Sequence, residues 1–144
     1  MKIAVKKLRE TAILPTFGSP EAAGADLYAC LEAPVTVAPG QTVFVPTGLA
    51  MELPVGYVGL VYARSGLACK RGLAPANKVG VIDSDYRGEF IVALHNHGTE
   101  PQTVASGERI AQLVVAPILM PEYVETDSLS ATQRGAGGFG STGK

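Results

Sequence analysis

The sequence predicts an all-β domain, a sandwich or barrel of short strands. Seventeen Gly and ten Pro interrupt runs that are rich in Val, Ile, Thr, Tyr and Phe, the residue types that favour strands. The 3.6-residue periodicity of an amphipathic helix is almost absent. At 144 residues the chain has the length of one domain, and a chain of this size buries about two-thirds of the surface that it exposes when unfolded.

Ten strands are predicted, and turn signals separate them. The turn signals are Pro39-Gly40, Pro54-Val55-Gly56, Arg87-Gly88 and Ser106-Gly107, pairs that favour tight changes of chain direction. The predicted strands are residues 2–7, 25–28, 42–46, 49–53, 56–62, 74–77, 80–82, 89–95, 102–105 and 111–117.

A single short helix is predicted between the fifth and sixth of these strands. Ser65 is expected to cap its start, because a Ser hydroxyl accepts a hydrogen bond from the first turn. The helix then runs through Lys70 and ends at Gly72, since Gly takes the left-handed backbone that closes a helix.

The end of the chain differs from the rest. Residues 122–133 are polar with isolated apolar residues, which is typical of a linker or arm. A Gly-rich stretch, residues 134–144, follows. We therefore divide the chain into a β-domain of residues 1–121 and a flexible C-terminal arm of residues 122–144, both parts of one functional unit.

The Gly-rich stretch combines features that bind phosphate. Its glycines free backbone N–H groups to face an anion, Arg134 adds a planar charge, and Ser141 and Thr142 add hydroxyl donors. Phe139 offers the only large apolar surface there. Residues 138–144 also spell G-x-x-x-x-G-K, but a P-loop lies between a buried strand and a helix, a context that this match lacks. The stretch predicts a lid over a nucleotide, and a disordered polar terminus is the alternative.

Composition argues against several classes of partner. The net charge is −1 without any basic block, so a nucleic acid is not an expected partner. No apolar run approaches the roughly 20 residues that a membrane span needs. Cys30 and Cys69 have no C-x-x-C spacing, and the chain shows no secretory leader, which favours reduced thiols and a cytoplasmic location. A charged fraction of only 17% suggests contacts between subunits.

A polar turn between two apolar runs, residues 77–91, predicts a β-hairpin that carries chemistry. Asp83 and Asp85 are two residues apart and share a face in extended chain. One of them could activate a water molecule or face a metal while the other caps the turn. The more ordinary interpretation is that such Asp residues only cap the turn. Tyr86 stands beside them and could form the wall of a pocket.

Two further groups of residues are candidates for ligand contacts. Arg64 and Ser65 precede the predicted helix and could bind an anion, although a helix cap beside a surface Arg is an equal alternative. His95 and His97 would project to one side of a strand. Two imidazoles without a third ligand of matching spacing favour ordinary strand-end histidines over a metal site.

Five segments resemble, in order, the five motifs of the trimeric dUTPases (dUTP diphosphatases). Together they extend over nearly the whole chain, and their order and spacing make the resemblance specific. The segments are AGADLY (residues 23–28), ARSGLA (63–68), GVIDSDYRG (80–88), GERIAQ (107–112) and RGAGGFGSTG (134–143).

The resemblance implies a jelly-roll-like β-barrel that assembles as a homotrimer with shared active sites. It also implies hydrolysis of dUTP to dUMP and pyrophosphate, which limits uracil in DNA and supplies dUMP for thymidylate synthesis. Asp83 would orient and deprotonate the water that attacks the α-phosphate. Mg²⁺ would be bound mainly by the triphosphate, and Asp26 would support the metal through water.

The same motifs imply how the nucleoside is read. Tyr86 would pack on the deoxyribose and leave no room for a 2′-hydroxyl, so UTP is refused sterically. Uracil would be read by Asn77 and by the backbone near it, and a narrow hairpin would exclude the methyl group of thymine. The backbone positions are Gly80, Val81, Ile82 and Ile91.

Phosphate contacts are implied at two places. Arg64, Ser65 and Gly66 would hold phosphates bound at a neighbouring subunit, and Gln112 would contact the phosphate chain. In the lid, Phe139 would stack over uracil. The γ-phosphate would be clasped by the rest of the lid motif, which is Arg134, Gly140, Ser141 and Thr142.

Four positions depart from the usual motifs. Ala23 stands where Ser is common, Ala63 where Pro is common, and His95 where an aromatic or aliphatic residue is frequent. Glu108 replaces Asp, which keeps the charge but lengthens the side chain. We expect these changes to affect local detail and not the class of protein.

Two other functions compete with this one. A dCTP deaminase shares the fold and the class of substrate, but its family lacks the Ile82-to-Tyr86 hairpin and uses a Glu base. A non-catalytic nucleotide sensor would use nucleotide binding to order the tail and change a partner surface. Asp83 and Tyr86 together favour the enzyme.

Overall fold

The structure, a computed structural model, describes residues 1–138 of the chain. Twelve strands and one helix form within this range. In chain order they are β1 (Ala4–Lys7), β2 (Thr16–Phe17), β3 (Ala25–Tyr28), β4 (Val35–Val37), β5 (Thr42–Pro46), β6 (Leu49–Glu52), β7 (Tyr57–Tyr62), α1 (Ser65–Arg71), β8 (Leu73–Pro75), β9 (Val79–Ile82), β10 (Ile91–Asn96), β11 (Gln102–Val104) and β12 (Arg109–Pro117).

The strands form one large sheet and three smaller ones. The large sheet has the order β2-β3-β12-β7-β9, and a three-stranded sheet has the order β5-β10-β8. Two further pairs are β1-β6 and β11-β4. Strand β12 lies at the centre of the large sheet, so that Gln112 is opposite Asp26 on one side and Tyr62 on the other. Every pairing among the described strands is antiparallel.

One apolar core fills the space between the sheets. Strand β10 shows how the alternation places side chains: Val92, Leu94 and Asn96 point inward, while the residues between them are partly or fully exposed. Asn96 is buried but satisfied, because its Nδ2 donates to the carbonyl oxygens of Val37 at 2.9 Å and Glu100 at 2.8 Å. The largest fully buried apolar side chains are Leu27, Val37, Val45, Leu49, Leu73, Leu94, Val104 and Ile110.

The prediction of an all-β fold of short strands with one short helix is confirmed. Each of the ten predicted strands corresponds to a strand of the structure, with ends that differ by at most two residues. Two strands, β2 and β4, were not predicted. They have only two and three residues, which is too short for a recognisable alternation of apolar and polar residues.

The predicted cap of the helix is wrong. Arg64 occupies the capping position with an extended backbone, its side chain forms no capping hydrogen bond to the helix, and Ser65 is the first helical residue. The end of the helix is as expected, since Gly72 takes a left-handed conformation with φ 65° and its N–H bonds to the carbonyl of Ala68. With seven residues, α1 is far too short to cross a membrane, and the described residues form no other helix.

The predicted β-hairpin is also wrong in one respect. Strand β9 pairs with β7 in the large sheet, whereas β10 pairs with β5 and β8 in the three-stranded sheet. Residues 83–90 therefore cross from one sheet to the other and do not close a two-stranded ribbon. We call this segment the crossing loop. Because β9 is the edge strand of its sheet, half of its backbone donors and acceptors point away from β7.

The C-terminal arm lacks helices and strands within the described residues. Residues 118–136 are exposed throughout, and six large apolar side chains are among them. These are Ile118, Leu119, Met120, Tyr123, Val124 and Leu129. The division of the chain after residue 121 remains a prediction.

Candidate active site

A pocket of about 300 Å³ opens where the two main sheets diverge. We call it the Asp83 pocket. Strand β9 forms one wall, and the outer face of β5 and β10 forms the other. It unites seven residues that the sequence predicts as site residues, which are Asn77, Gly80, Val81, Ile82, Asp83, Tyr86 and Ile91.

Asn77 is placed by an unusual turn. The N–H of Val79 bonds to the carbonyl of Asn77 at 2.7 Å, and Lys78 between them has a φ of 65°. Lys78 is the only residue other than Gly with positive φ in the described chain, and such backbone strain is often found at functional sites. Gly80 leaves the space that the amide needs, because a Cβ there would lie 3.1 Å from Asn77 Nδ2 and 3.2 Å from Val61 Cβ.

The two acidic residues of the crossing loop differ in position. Asp83 lines the pocket and Asp85 does not. The loop turns through a backbone bond from the N–H of Tyr86 to the carbonyl of Asp83 at 3.2 Å. Neither carboxylate takes part in a hydrogen bond or ion pair with another described residue, so the interpretation as turn caps is not supported. Asp83 is an exposed, unengaged carboxylate at the edge of a pocket.

Tyr86 is held at the rim of the pocket by three contacts. Its hydroxyl donates to the carbonyl of Glu89 at 3.0 Å, and its ring lies 6.2 Å from that of Phe90, measured between centroids. The ring also rests on Gly88, where a Cβ would come within 2.4 Å of the Tyr86 hydroxyl. Tyr86 as a whole is 44% exposed, so part of its surface remains accessible to a ligand.

A second pocket of about 220 Å³ contains the other predicted residues of the β-domain. We call it the Arg64 pocket. It lies at the start of α1, beside the paired strands β3 and β12. Its predicted members are Asp26, Arg64, Ser65, Gly66 and Gln112, and the structure adds Gly18, Ala22, Gly24 and Arg109.

Asp26 is the centre of the charges in this pocket. Its Oδ1 accepts a hydrogen bond from Arg64 Nε at 2.6 Å, and its Oδ2 accepts one from Arg109 at 3.2 Å. Both arginines are ion-paired with a single carboxylate, so one positive charge is left over. The pocket is therefore suited to an anion, and an arriving phosphate could compete with Asp26 for either guanidinium.

Arg109 was missed in the sequence, and a β-bulge explains why. Strict alternation would place Arg109 and Gln112, three residues apart, on opposite faces. The register shifts between Arg109 and Ala111, and a bulge adds one residue that reverses the alternation. Two successive residues, Ile110 and Ala111, are therefore buried, while Gln112 lines the pocket.

Gln112 and Glu108, one of the four positions that depart from the usual motifs, both form hydrogen bonds within the protein. Gln112 Nε2 donates to the carbonyl of Ala63 at 2.8 Å, and a Cβ on Gly24 would lie 2.6 Å from Gln112 Oε1. Glu108, which replaces Asp, forms an ion pair with Arg71 at the end of α1 and accepts a bond from the N–H of Ala105 at 3.0 Å. The longer side chain thus ties the helix to the turn before β12.

The structure keeps the two pockets apart within one chain. They share no lining residue. Arg64 follows the end of β7 where Tyr62 pairs with Val79, whereas Asp83 follows Ile82, which pairs with Gly59. Three residues of extended strand separate those positions by about 10 Å. Asp83 and Arg64 therefore lie at opposite ends of the β7–β9 pair.

The described part of the Gly-rich stretch lines neither pocket. Arg134 Nε donates to the carbonyl of Gly137 at 2.8 Å, and the N–H of Gly137 bonds back to the Arg134 carbonyl at 3.1 Å. The other predicted lid residues, Phe139, Gly140, Ser141 and Thr142, lie outside the described residues.

His95 and His97 lie side by side, with ring centroids 4.4 Å apart. Thr42 Oγ1 is 2.8 Å from His95 Nδ1. Desolvation, together with the positive charges of His95 and Lys78, lowers the pKa of His97. Within residues 1–138, no group of three or more His, Cys, Asp or Glu side chains comes together as a metal site.

Comparisons with known proteins agree on one family. The sequence model of the family described as dUTPase matches residues 10–143. A deoxyuridine 5′-triphosphate nucleotidohydrolase from Desulfitobacterium hafniense is 55% identical over 144 residues, with 99% of this chain and 95% of the relative covered. One from Nautilia profundicola is 48% identical, with 100% of both covered. The solved structure of Staphylococcus bacteriophage 80alpha dUTPase with dUpNHpp has a TM-score of 0.92 at 29% identity, with 99% of each chain covered.

Fold and sequence together define the chain as a hydrolase with the jelly-roll fold. The match includes more than nine-tenths of the residues and all five segments of the resemblance. The chain belongs to the dUTPase family. The expected family, fold and class of enzyme, dUTP diphosphatase, are confirmed.

Proposed function

We propose that the chain hydrolyses dUTP to dUMP and pyrophosphate in a Mg²⁺-dependent reaction, at sites shared between the subunits of a homotrimer. The observation that carries this proposal is the position of Asp83. Its unengaged carboxylate lines the same pocket as Asn77 and Tyr86, so a general base, a base-reading amide and an aromatic wall surround one ligand. A pocket of about 300 Å³ is at the small end of the range for small-molecule sites.

Uracil is bound between β9 and β10 in this proposal. The free edge of β9 offers backbone donors and acceptors to the edge of the base, and the Asn77 amide adds one of each. The rim is apolar and open: Val81 is 62% and Phe44 74% exposed. A flat aromatic base would cover this surface. The tight approach of Gly80 to Val61 leaves little room for the methyl group of thymine.

Tyr86 selects the sugar. Its hydroxyl and lower face are fixed by the crossing loop, so only the exposed face can meet the deoxyribose. A 2′-hydroxyl would have to enter the space that the ring occupies. The fixed ring cannot retreat cheaply, and steric exclusion of this kind discriminates strongly against UTP.

Asp83 acts as the general base. It accepts the proton of a water molecule that attacks the α-phosphorus, the bond from that phosphorus to the bridging oxygen breaks, and pyrophosphate leaves with the electron pair. The products are dUMP and pyrophosphate. The carboxylate is exposed and has no competing partner among residues 1–138, so a water molecule has free access to it.

The phosphates are held by the Arg64 pocket of a neighbouring subunit. Within one chain Arg64 and Asp83 lie about 10 Å or more apart along the strands, and the two pockets share no lining residue. A homotrimer would bring the Arg64 pocket of one subunit against the Asp83 pocket of the next. Arg64, Ser65, Gly66 and Gln112 would then contact the phosphate chain, and Arg109 would add a second guanidinium.

Mg²⁺ fits the donor set of this site. Carboxylate oxygens suit the ion, and the Arg64 pocket has a single carboxylate, Asp26, as expected for an ion bound chiefly through substrate phosphates. Asp26 would reach the ion through water once Arg64 or Arg109 turns to phosphate. When bound, the ion neutralises phosphate charge.

The arm completes the site from another subunit. Six exposed apolar side chains between residues 118 and 129 are suited to pack on a neighbour. Arg134 and the residues beyond it, Phe139, Gly140, Ser141 and Thr142, would then close over the base and the γ-phosphate as a lid.

In the cell such an enzyme limits uracil in DNA and supplies dUMP for thymidylate synthesis. We propose a cytoplasmic location and no nucleic-acid or membrane partner.

A substrate panel tests the proposal. With Mg²⁺ present, pyrophosphate release from dUTP should be far faster than from UTP, dTTP or dCTP, and dUMP should be the nucleotide product. A chain that ends at Gln133 should fold normally but hydrolyse dUTP about 100-fold more slowly, because the lid no longer orients the substrate. Equal turnover of dUTP and UTP contradicts the proposed site, and full activity without the last residues contradicts the lid.

A further inference from the structure

Glu89 lies at the end of the crossing loop, and the proposed reaction makes no use of its carboxylate. Its Oε1 accepts two hydrogen bonds, from the backbone N–H of Gly48 at 2.7 Å and from Arg9 at 2.7 Å. The Glu89 side chain is 17% exposed and that of Arg9 is 42% exposed. A charged residue that lines the Asp83 pocket thus uses one of its carboxylate oxygens for contacts within the protein.

The same residue also holds Tyr86. The Glu89 carbonyl accepts the hydrogen bond from the Tyr86 hydroxyl, so side chain and backbone of one residue join the sugar-facing ring to the turn between β5 and β6. The next residue strengthens this junction. The N–H of Phe90 bonds to the carbonyl of Leu49 at 2.8 Å, and Thr47 Oγ1 donates to the Phe90 carbonyl at 2.6 Å.

The turn that receives Glu89 is rigid. Gly48 has a φ of 70°, and a Cβ there would lie 2.8 Å from Ala12 Cβ and 2.9 Å from Cys30 Sγ. Thr47 and Leu49 on either side are completely buried. The Gly48 N–H therefore stays in one place, and Glu89 binds to a fixed donor.

We propose that Glu89 is the positioning residue for sugar discrimination: its bond to Gly48 fixes the Glu89 carbonyl, which in turn fixes the ring of Tyr86 against the 2′ position of the nucleotide. The inference rests on the proposed function, because it explains how the ring that refuses UTP is prevented from moving. Glu89 touches neither the reacting phosphorus nor the attacking water in this role.

The two contacts of the carboxylate contribute unequally. The Arg9 ion pair is partly solvent-exposed, and such pairs contribute little because water and salt screen them. The Gly48 bond is part-buried and joins a charged acceptor to a donor that has no alternative partner. Positioning should therefore depend on the bond to Gly48 and hardly on the charge of Arg9.

Three single variants separate these contributions, and dUTP and UTP are the probes. Glu89→Ala removes both contacts, Glu89→Gln keeps an oxygen for Gly48, and Arg9→Gln removes only the ion pair. The ratio of kcat/KM for dUTP to that for UTP should fall about tenfold in Glu89→Ala, the usual effect of losing one charged hydrogen bond. The ratio should stay within about twofold of the parent in Glu89→Gln and Arg9→Gln.

The split between substrates distinguishes positioning from general destabilisation. A merely structural loss would lower the turnover of dUTP and UTP alike, whereas a looser Tyr86 admits UTP. Thermal unfolding of each variant shows the folded fraction under assay conditions. An unchanged ratio in folded Glu89→Ala, or an equal fall in Glu89→Gln, overturns the proposal.

A double variant tests the same device if Glu89→Ala alone is too unstable to assay. Tyr86→Phe keeps the ring and removes the hydroxyl that binds the Glu89 carbonyl. Tyr86→Phe by itself should lower the ratio of kcat/KM for dUTP to that for UTP. The double variant Tyr86→Phe/Glu89→Gln should show the same ratio as Tyr86→Phe alone. An unchanged ratio in Tyr86→Phe overturns the positioning of the ring by Glu89. A parent protein that does not discriminate at all overturns the proposed function instead.

Discussion

At the scale of single residues, the crossing loop separates two carboxylates that look alike in the sequence. Asp83 lines the pocket and Asp85, two residues on, does not. The alternation of extended chain would have put both on one face, but the loop turns through the bond between Tyr86 and Asp83. Only one of the two is therefore in a position to act as a base on a ligand in the pocket.

Asp83→Asn should lower kcat for dUTP by about 10³-fold, because an amide cannot accept the proton of water. Binding of a non-hydrolysable dUTP analogue should remain close to that of the parent, since the amide keeps the size of the side chain. Asp85→Asn is the matched control and should retain nearly full turnover. Steady-state kinetics and analogue titration of both variants check this, and a similar loss in the two variants speaks against Asp83 as the base.

The lowered pKa of His97 predicts that the stability of the fold depends on pH. Its pKa in the folded chain is lower than the ordinary value of 6.5, so the unfolded chain binds the proton more tightly. The folded state therefore loses stability as pH falls from about 6.5 towards the lower pKa of His97 in the folded chain. The stability that depends on neutral His97 is fully present only above about pH 6.5.

His97→Asn should make the melting temperature less sensitive to pH between about pH 7.5 and pH 5.5, since the group that titrates is gone. The readout is the difference in melting temperature between the two pH values, compared with the parent. The effect should be small because the ring is exposed. A variant that loses as much stability on acidification as the parent contradicts the assignment.

At the scale of elements, the end of α1 fixes how the Arg64 pocket meets the rest of the fold. Gly72 closes the helix with a φ of 65°, and a Cβ there would lie 2.7 Å from the backbone nitrogen of Gly98. Arg71, just before it, is bound to Glu108 and to Gln102. The helix is therefore held from two sides, by close backbone packing and by an ion pair.

Gly72→Ala should lower the free energy of unfolding by about 2 to 4 kcal/mol, because left-handed strain and backbone overlap add. Gly40→Ala is the matched control: Gly40 has a φ of 72° but nothing within 4 Å of a Cβ. It should cost only about 1 kcal/mol, the effect of strain without overlap. Denaturant unfolding of the two variants gives the comparison. Equal losses would show that the contact with Gly98 has no effect.

At the scale of the whole molecule, the described chain presents two pockets that share no lining residue. A mixture of subunits tests whether neighbours join them. Asp83→Asn removes the proposed base from one pocket and Arg64→Gln removes a guanidinium from the other, so each variant alone should have little activity.

Random mixing of the two variants should restore about a quarter of the parental activity, because about one site in four then combines an intact Asp83 pocket with an intact Arg64 pocket from a neighbour. The mixture is refolded together or exchanged at equilibrium, and dUTP turnover is compared with that of the separate variants. Sites formed within a single chain would give no recovery. Ion-exchange chromatography shows whether the subunits have exchanged, because Asp83→Asn and Arg64→Gln change the charge of a subunit in opposite directions and mixed oligomers elute between the two variants.

Much of the fold could be predicted, and the exceptions have common physical causes. Ten strands were recognisable because their alternation and their flanking turns are local properties of the chain. Strands β2 and β4 are stabilised by pairing with β3 and β11, and two or three residues carry too little local signal. The predicted hairpin failed for the same reason, since the partners of β9 and β10 are distant in sequence.

The sequence by itself determined the all-β class, the family and most residues of the candidate site, because these depend on residue type, order and spacing. The tertiary structure decided which residues share a pocket. It separated Asp83 from Asp85, brought Arg109 to Asp26 through a bulge, and joined Glu89 to Gly48 across 41 positions of sequence. Such choices depend on strand register and long-range contacts, and no local pattern of residues encodes them.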